Sequence, residues 1–131
     1  MRSADYSMRR ELPDIPYEAA VERVTSALKT EGFGVLTEID VKDTFRRKLD
    51  VDFRPYVILG ACNPQLAHRA LTEDAGIGLL LPCNVVVSAT EDGSEVVIAR
   101  PQAMLGIADI DGIRSVADEA EARLTRVLER L

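Results

Sequence analysis

Two cysteines, each followed directly by an asparagine, and a single histidine hold the nucleophilic and metal-ligating side chains that stand out in this sequence. They fall within one stretch, Tyr56 to Val87. Asn63 is a good helix cap, and Pro64 suits the first helical position, where a missing N–H costs nothing. Cys62 therefore stands just ahead of a helix N-terminus, whose free N–H groups stabilise a thiolate. That makes Cys62 a candidate nucleophile or redox thiol, with Cys83 or His68 as its partner. The plainer alternative is a small, inert residue at a crowded strand end, since buried cysteine is common. Five residues separate Cys62 from His68 and fourteen separate His68 from Cys83, which is no standard metal spacing. No metal and no cofactor is expected. The asparagines have a structural account as well: Asn63 caps a helix, and Asn84 can bond turn backbone before its strand.

Composition narrows the partners. The chain has 131 residues, enough for one domain to bury a core without disulfide or metal. Sixteen basic residues stand against 22 acidic ones, a net charge of −6 with no long basic run. That balance excludes the electrostatic footprint of a nucleic-acid binder and disfavours docking on an anionic membrane. No apolar run is long enough to span a bilayer, and residues 1–10 carry no apolar signal core. Two cysteines without a signal fit free thiols in a reducing compartment, so a cytoplasmic location is expected. There is no Walker loop, no Gly-x-Ser-x-Gly elbow and no His-Glu-x-x-His. Gly76-Ile77-Gly78 lacks the strand–turn–helix context of a dinucleotide motif.

The elements that must position these residues follow from periodicity. Ala4 to Leu12 alternate as a half-buried strand, with Arg10 interrupting the apolar side. Asp14 is expected to cap a helix with Pro16 in its first turn; Tyr17, Ala20, Val21, Val24 and Leu28 form its stripe, and Gly32 ends it. Phe33 to Ile39 reads as a second strand. Asp40 caps a short helix with the seam Val41, Phe45 and Leu49, whose Arg46-Arg47-Lys48 run is a solvated face or, alternatively, a handhold for an anionic ligand. Val57-Ile58-Leu59 is apolar without alternation, so this third strand should be covered on both faces. Asn63 then opens a helix with Leu66, Ala67, Ala70 and Leu71 inward, leaving His68 off the stripe.

Asp92-Gly93 between two β-rich runs predicts a hairpin with a two-residue type I′ loop, pairing Ala89 with Val96 and Val87 with Ile98. Cys83 shares the parity of Val85 and Val87, so its thiol should point inward and Asn84 outward. Leu79-Leu80-Leu81 must be covered by the chain's own core or by a second subunit. Pro101 to Asp109 shows no clear period. A last helix from near Asp111 carries Ile113, Val116, Ala117, Ala120, Leu124, Val127, Leu128 and Leu131 on one stripe. The fold class is α+β in a single domain: a mixed or mainly antiparallel sheet of about five strands with helices packed on it, in the order β-α-β-α-β-α-β-β-α.

The run Phe53-Arg54-Pro55-Tyr56-Val57-Ile58-Leu59-Gly60-Ala61-Cys62-Asn63-Pro64 is followed by Leu66-Ala67-His68-Arg69-Ala70-Leu71 and by Gly78-Leu79-Leu80-Leu81-Pro82-Cys83-Asn84-Val85. Together these closely resemble the domain of unknown function 302 family of bacteria and archaea, over roughly Tyr17 to the C-terminus. The resemblance implies a compact α+β domain and a homodimer. It implies no reaction and assigns no role to Cys62, Asn63, His68, Cys83 or Asn84. Three expectations therefore stand side by side. The first is a homodimer binding a small ligand or anion near the Cys62–Pro64 helix start. The second is a thiol-redox or metal-ligating protein using Cys62 with Cys83 or His68. The third is a structural dimer module that binds nothing.

Overall fold

The computed structural model describes residues 6–131. Five strands form one sheet: β1 (Ser7–Pro13), β2 (Gly34–Asp40), β3 (Tyr56–Cys62), β4 (Cys83–Ala89) and β5 (Gly93–Ala99). Their spatial order is β1-β5-β4-β3-β2, and every neighbouring pair is antiparallel. The helices are α1 (Tyr17–Thr30), α2 (Val41–Leu49), α3 (Pro64–Glu73), a short α4 (Pro101–Leu105) and α5 (Asp111–Glu129), with a 3-10 segment at Ala75–Leu80. The α+β class and the element order hold. The one added helix, α4, lies in the stretch without periodicity, where five residues are too few to show a period.

The core lies between one face of the sheet and the layer of α1, α3 and α5. Met8, Leu12, Val57, Leu59, Val85, Val87, Val96 and Ile98 supply the sheet side. Val24 and Leu28 from α1, and Ile113, Val116, Leu124 and Val127 from α5, supply the helix side. The predicted stripes of α1 and α5 are these residues, because apolar side chains at helical spacing leave water together. Ala4, assigned to the first strand, lies outside the described residues.

Four local expectations change: Leu71 of α3, expected inward, is exposed, and three more follow. Asp14 does not cap α1. It adopts a positive φ of 65°, its amide donates to the Asp92 carbonyl at 2.7 Å, and Pro16 stands at the cap position without a side-chain bond. The hairpin loop is Glu91-Asp92, not Asp92-Gly93: Ala89 pairs with Ser94 and Val87 with Val96. Gly93 has no positive φ, so it is not there for a type I′ turn. It is there because a Cβ would lie 2.7 Å from the Asp14 amide nitrogen and 3.0 Å from that of Ile15. The register slips by two residues, which keeps the parity, so Val85, Val87, Val96 and Ile98 still face the core. Finally, β3 is covered on one face only: Val57 and Leu59 are buried, while Ile58 is partly open on the face away from the helices.

One polar node ties the helix layer together. The Glu31 carbonyl, at the end of α1, accepts from Asn63 Nδ2 at 3.3 Å and from Arg123 Nη1 of α5 at 3.1 Å. The Glu31 carboxylate accepts from Arg126 Nε at 3.1 Å and Nη2 at 2.9 Å. The Arg126 hydrogen bond holds the Glu31 carboxyl below its ordinary value, against the opposing effect of its burial. A carboxyl depressed in the folded state contributes stability that is fully present above its unfolded value and is lost as pH falls through the folded one. Glu31→Gln should therefore melt earlier than the parent at pH 7, and the gap should close in acid below that folded value. Thermal unfolding of both proteins across pH 2.5–7 (about five points) checks it; a gap that stays constant to the acid end would contradict this role.

Candidate functional site

Most of the cysteine–asparagine motif has an architectural explanation. Asn63 is buried, and its side-chain oxygen accepts from the Leu66 amide at 3.1 Å, capping α3. Its Nδ2 reaches back to the Glu31 carbonyl, so one side chain starts α3 and ties it to the end of α1. Gly32 beside it has φ 82°, and a Cβ there would lie 2.8 Å from Asn63 Nδ2. Gly60 leaves room for the Pro82 ring, whose Cγ would be 2.8 Å from an added Cβ. The two halves of the motif are thus packed on each other across β3 and β4.

The two cysteines lie near each other as well. Ala61 pairs with Cys83 across β3 and β4, and Cys62 is the next residue. Both cysteines are free and half-buried, and both line a cavity of about 30 Å³ beneath α3, with Leu66, Leu81 and Ala120 among its walls. That volume is about the room of one water. On the far side of Leu81-Pro82-Cys83 lies a second cavity, of about 130 Å³. Leu79, Leu80, Leu81, Cys83, Asn84 and Met104 are among its walls, with Leu105 at its base in the core. The Leu81–Pro82 peptide bond between the two cavities is cis.

Neither thiol is activated. Burial raises the Cys62 pKa. Burial, reinforced by the nearby Cys62, pushes the Cys83 thiol up to about 11. Both thiols are therefore neutral at pH 7, the opposite of the electropositive setting that makes a cysteine reactive. The helix start does not counter this, because Asn63 occupies the Leu66 N–H and Pro64 has none.

His68 is exposed on α3 and lines neither cavity. Asn84 is exposed, and Cys83 packs against the core, as their parity in the strand requires. Among the described residues no group of three or more His, Cys, Asp or Glu could hold a metal ion. Four of the five singled-out residues thus converge on one corner, and His68 stands apart. Periodicity missed the other walls, Met104 and Leu105, because they arrive on the aperiodic Pro101–Leu105 segment. The Leu79-Leu80-Leu81-Pro82 run was the visible signal: Leu80 and Leu81 pack on the core, while Leu79 is 92% exposed.

The fold has a solved counterpart. The crystal structure of an uncharacterized conserved protein DUF302 from Bacillus stearothermophilus superposes with a TM-score of 0.87 at 32% sequence identity, covering 95% of this chain and 97% of that one. No curated protein matches the chain. The family described as Domain of unknown function DUF302 matches residues 8–131, nearly the whole described length. With the sheet, the Cys62–Pro64 corner and the Leu79–Val85 run in place, the chain belongs to the DUF302 family.

Proposed function

We propose that this chain is a homodimeric binding domain whose ligand is a small, uncharged, mainly apolar molecule. Its place is the cavity beside Leu81, Pro82 and Cys83. The observation that carries the reading is that cavity of about 130 Å³, whose walls combine leucine and methionine side chains with the Cys83 thiol, raised to about 11, and with polar groups that include Asn84. At about 130 Å³ its size suits a ligand of a few heavy atoms. No Lys or Arg lines either cavity at this corner, which favours a neutral ligand over an anion. The homodimer is supported by exposed apolar side chains, Leu36, Ile39, Leu49, Val51 and Leu79 among them, beyond what a lone soluble domain ordinarily shows. The neutral free thiols suit a reducing compartment such as the cytoplasm. No helix among the described residues is long and apolar enough to cross a membrane.

Amide chemical-shift mapping separates the ligand classes. Titrated benzene should move the Leu80, Cys83 and Met104 amides, and Met104→Trp, which fills the cavity, should abolish the effect. Shifts confined to Gln65 and Leu66 on adding sulfate, with none from benzene, would overturn the reading in favour of an anion. A pH titration of thiol alkylation tests the redox alternative: both cysteines should react as weak acids above the ordinary thiol value, Cys83 near 11. A thiol titrating below about 7.5 would reinstate the redox reading.

A further inference from the structure

We infer that the open face of the sheet, together with α2, docks against the same face of a second copy, with the two-fold axis along β4. The assignment rests on the homodimer proposed above and goes further by naming the surface. The layer of α1, α3 and α5 covers only one side of the sheet. On the other side the strands align one apolar row in register: Ile39 beside Ile58, Ile58 beside Val86, Val86 beside Val97, with Arg9 at the end. Alternation is missing from β3 and β4 because Ile58 and Val86 stand where a one-sided sheet would carry polar residues.

The apolar surface continues off the sheet. Phe53 packs on Tyr56 at 5.9 Å between ring centroids, and Phe45 of α2 on Phe53 at 5.2 Å. Yet α2 has no buried residue, and Leu49 on its apolar seam is 64% exposed. A seven-residue, five-strand face spans about 24 Å by about 23 Å at ordinary strand spacings. With α2 beside it, the area approaches the roughly 800 Å² per partner of a stable dimer.

Charge selects the orientation. A two-fold contact uses the same patch twice. Since β4 is the middle strand, an axis along it lays β3 over β5 and β2 over β1 of the second copy. Val86 then meets its own counterpart, and Ile58 meets Val97. Arg54 lies over the rings of Phe53 at 4.8 Å and Tyr56 at 5.6 Å. The row that begins with Tyr56 continues through Ser88 and Glu95 to Glu11. The axis reverses this row onto itself and so sets Arg54 near Glu11 of the second copy, and near Glu95, which already pairs with Arg9 of its own chain at 3.1 Å. Arg54 and Glu11 make no ion pair among the described residues. The alternative axis, across the strands, would lay Arg54 over the uncharged Thr37–Gly60–Asn84 row.

Light scattering coupled to size exclusion, run as a dilution series, tests both levels. The parent chain should elute at twice its chain mass. Val86→Lys should be a monomer with an unchanged circular dichroism spectrum. Because a core-adjacent lysine can also unfold the chain, the exposed pair carries an independent test. Arg54→Glu and Glu11→Arg should each weaken dimerisation by about tenfold, and the double variant should recover most of that loss. A parent chain that stays monomeric at about 100 µM removes the homodimer itself. A dimer that survives Val86→Lys and both charge reversals but is split by Leu79→Asp keeps the homodimer, moves its interface to the leucine loop and overturns this assignment alone.

Discussion

Leu124→Ala is expected to destabilise the fold by about 3–4 kcal/mol. Leu124 is fully buried on α5, where the helix layer meets the sheet through Val24, Leu28, Val96 and Ile98, all equally buried. Truncation removes the transfer free energy of the lost carbons and leaves a void that a β-sheet backed by three helices cannot close. Against a total of about 5–15 kcal/mol for a domain of this size, that is a large fraction. Urea unfolding should show a lower midpoint with an unchanged slope, since the same surface is exposed on unfolding. A loss below about 1 kcal/mol would mean that α5 shifts to fill the space and would contradict this expectation.

Gly93→Val should come second, at about 3 kcal/mol, and for a different reason. The new Cβ would sit 2.7 Å from the Asp14 nitrogen and 3.0 Å from the Ile15 nitrogen. Both are backbone atoms, so no side-chain rotation relieves the contact. The Asp14 amide would be pushed off the Asp92 carbonyl, to which it donates at 2.7 Å. Hydrogen exchange provides a local reading: the Asp14 amide should lose protection while Leu124 and its neighbours on α5 keep theirs. Equal loss at both places would show a global effect rather than a clash where β1 meets the hairpin.

These two positions also mark what a reader of the sequence can and cannot see. Leu124 was visible: its stripe on α5 repeats at helical spacing for five turns, and only burial makes such a stripe. The core parity of β4 and β5 was visible because a slip of two residues preserves it. Gly93 was misread because glycine serves two purposes, a positive φ and the absence of a Cβ, and the sequence does not say which. The close approach comes from Leu12, Asp14 and Ile15, some eighty residues away.

The same divide runs through the candidate site. Asn63 was legible as a cap, since its Leu66 partner is three residues on. Its bond to the Glu31 carbonyl was not, because that partner is 32 residues back. The proximity of Cys62 to Cys83 depends on β3 lying beside β4, a pairing across the whole of α3. The neutral state of both thiols depends on burial, which outweighs the helix start that had pointed to a thiolate. Exposure of His68 agrees with its position off the buried stripe of α3.

The pairing of β1 with β5 bears on how the chain is made. Ser7 lies opposite Ala99 and Pro13 opposite Gly93, so the earliest strand waits for almost the latest. At a synthesis rate of about 5–20 residues per second, β1 leaves the ribosome roughly 4–20 s before its neighbour exists. During that interval β2, β3 and β4 can pair in turn, each with the strand next in sequence. β1 can only close the sheet afterwards, as an edge strand added to a framework already standing. Such non-local pairing slows folding, and it leaves Met8 and Leu12 exposed to chaperones until β5 arrives.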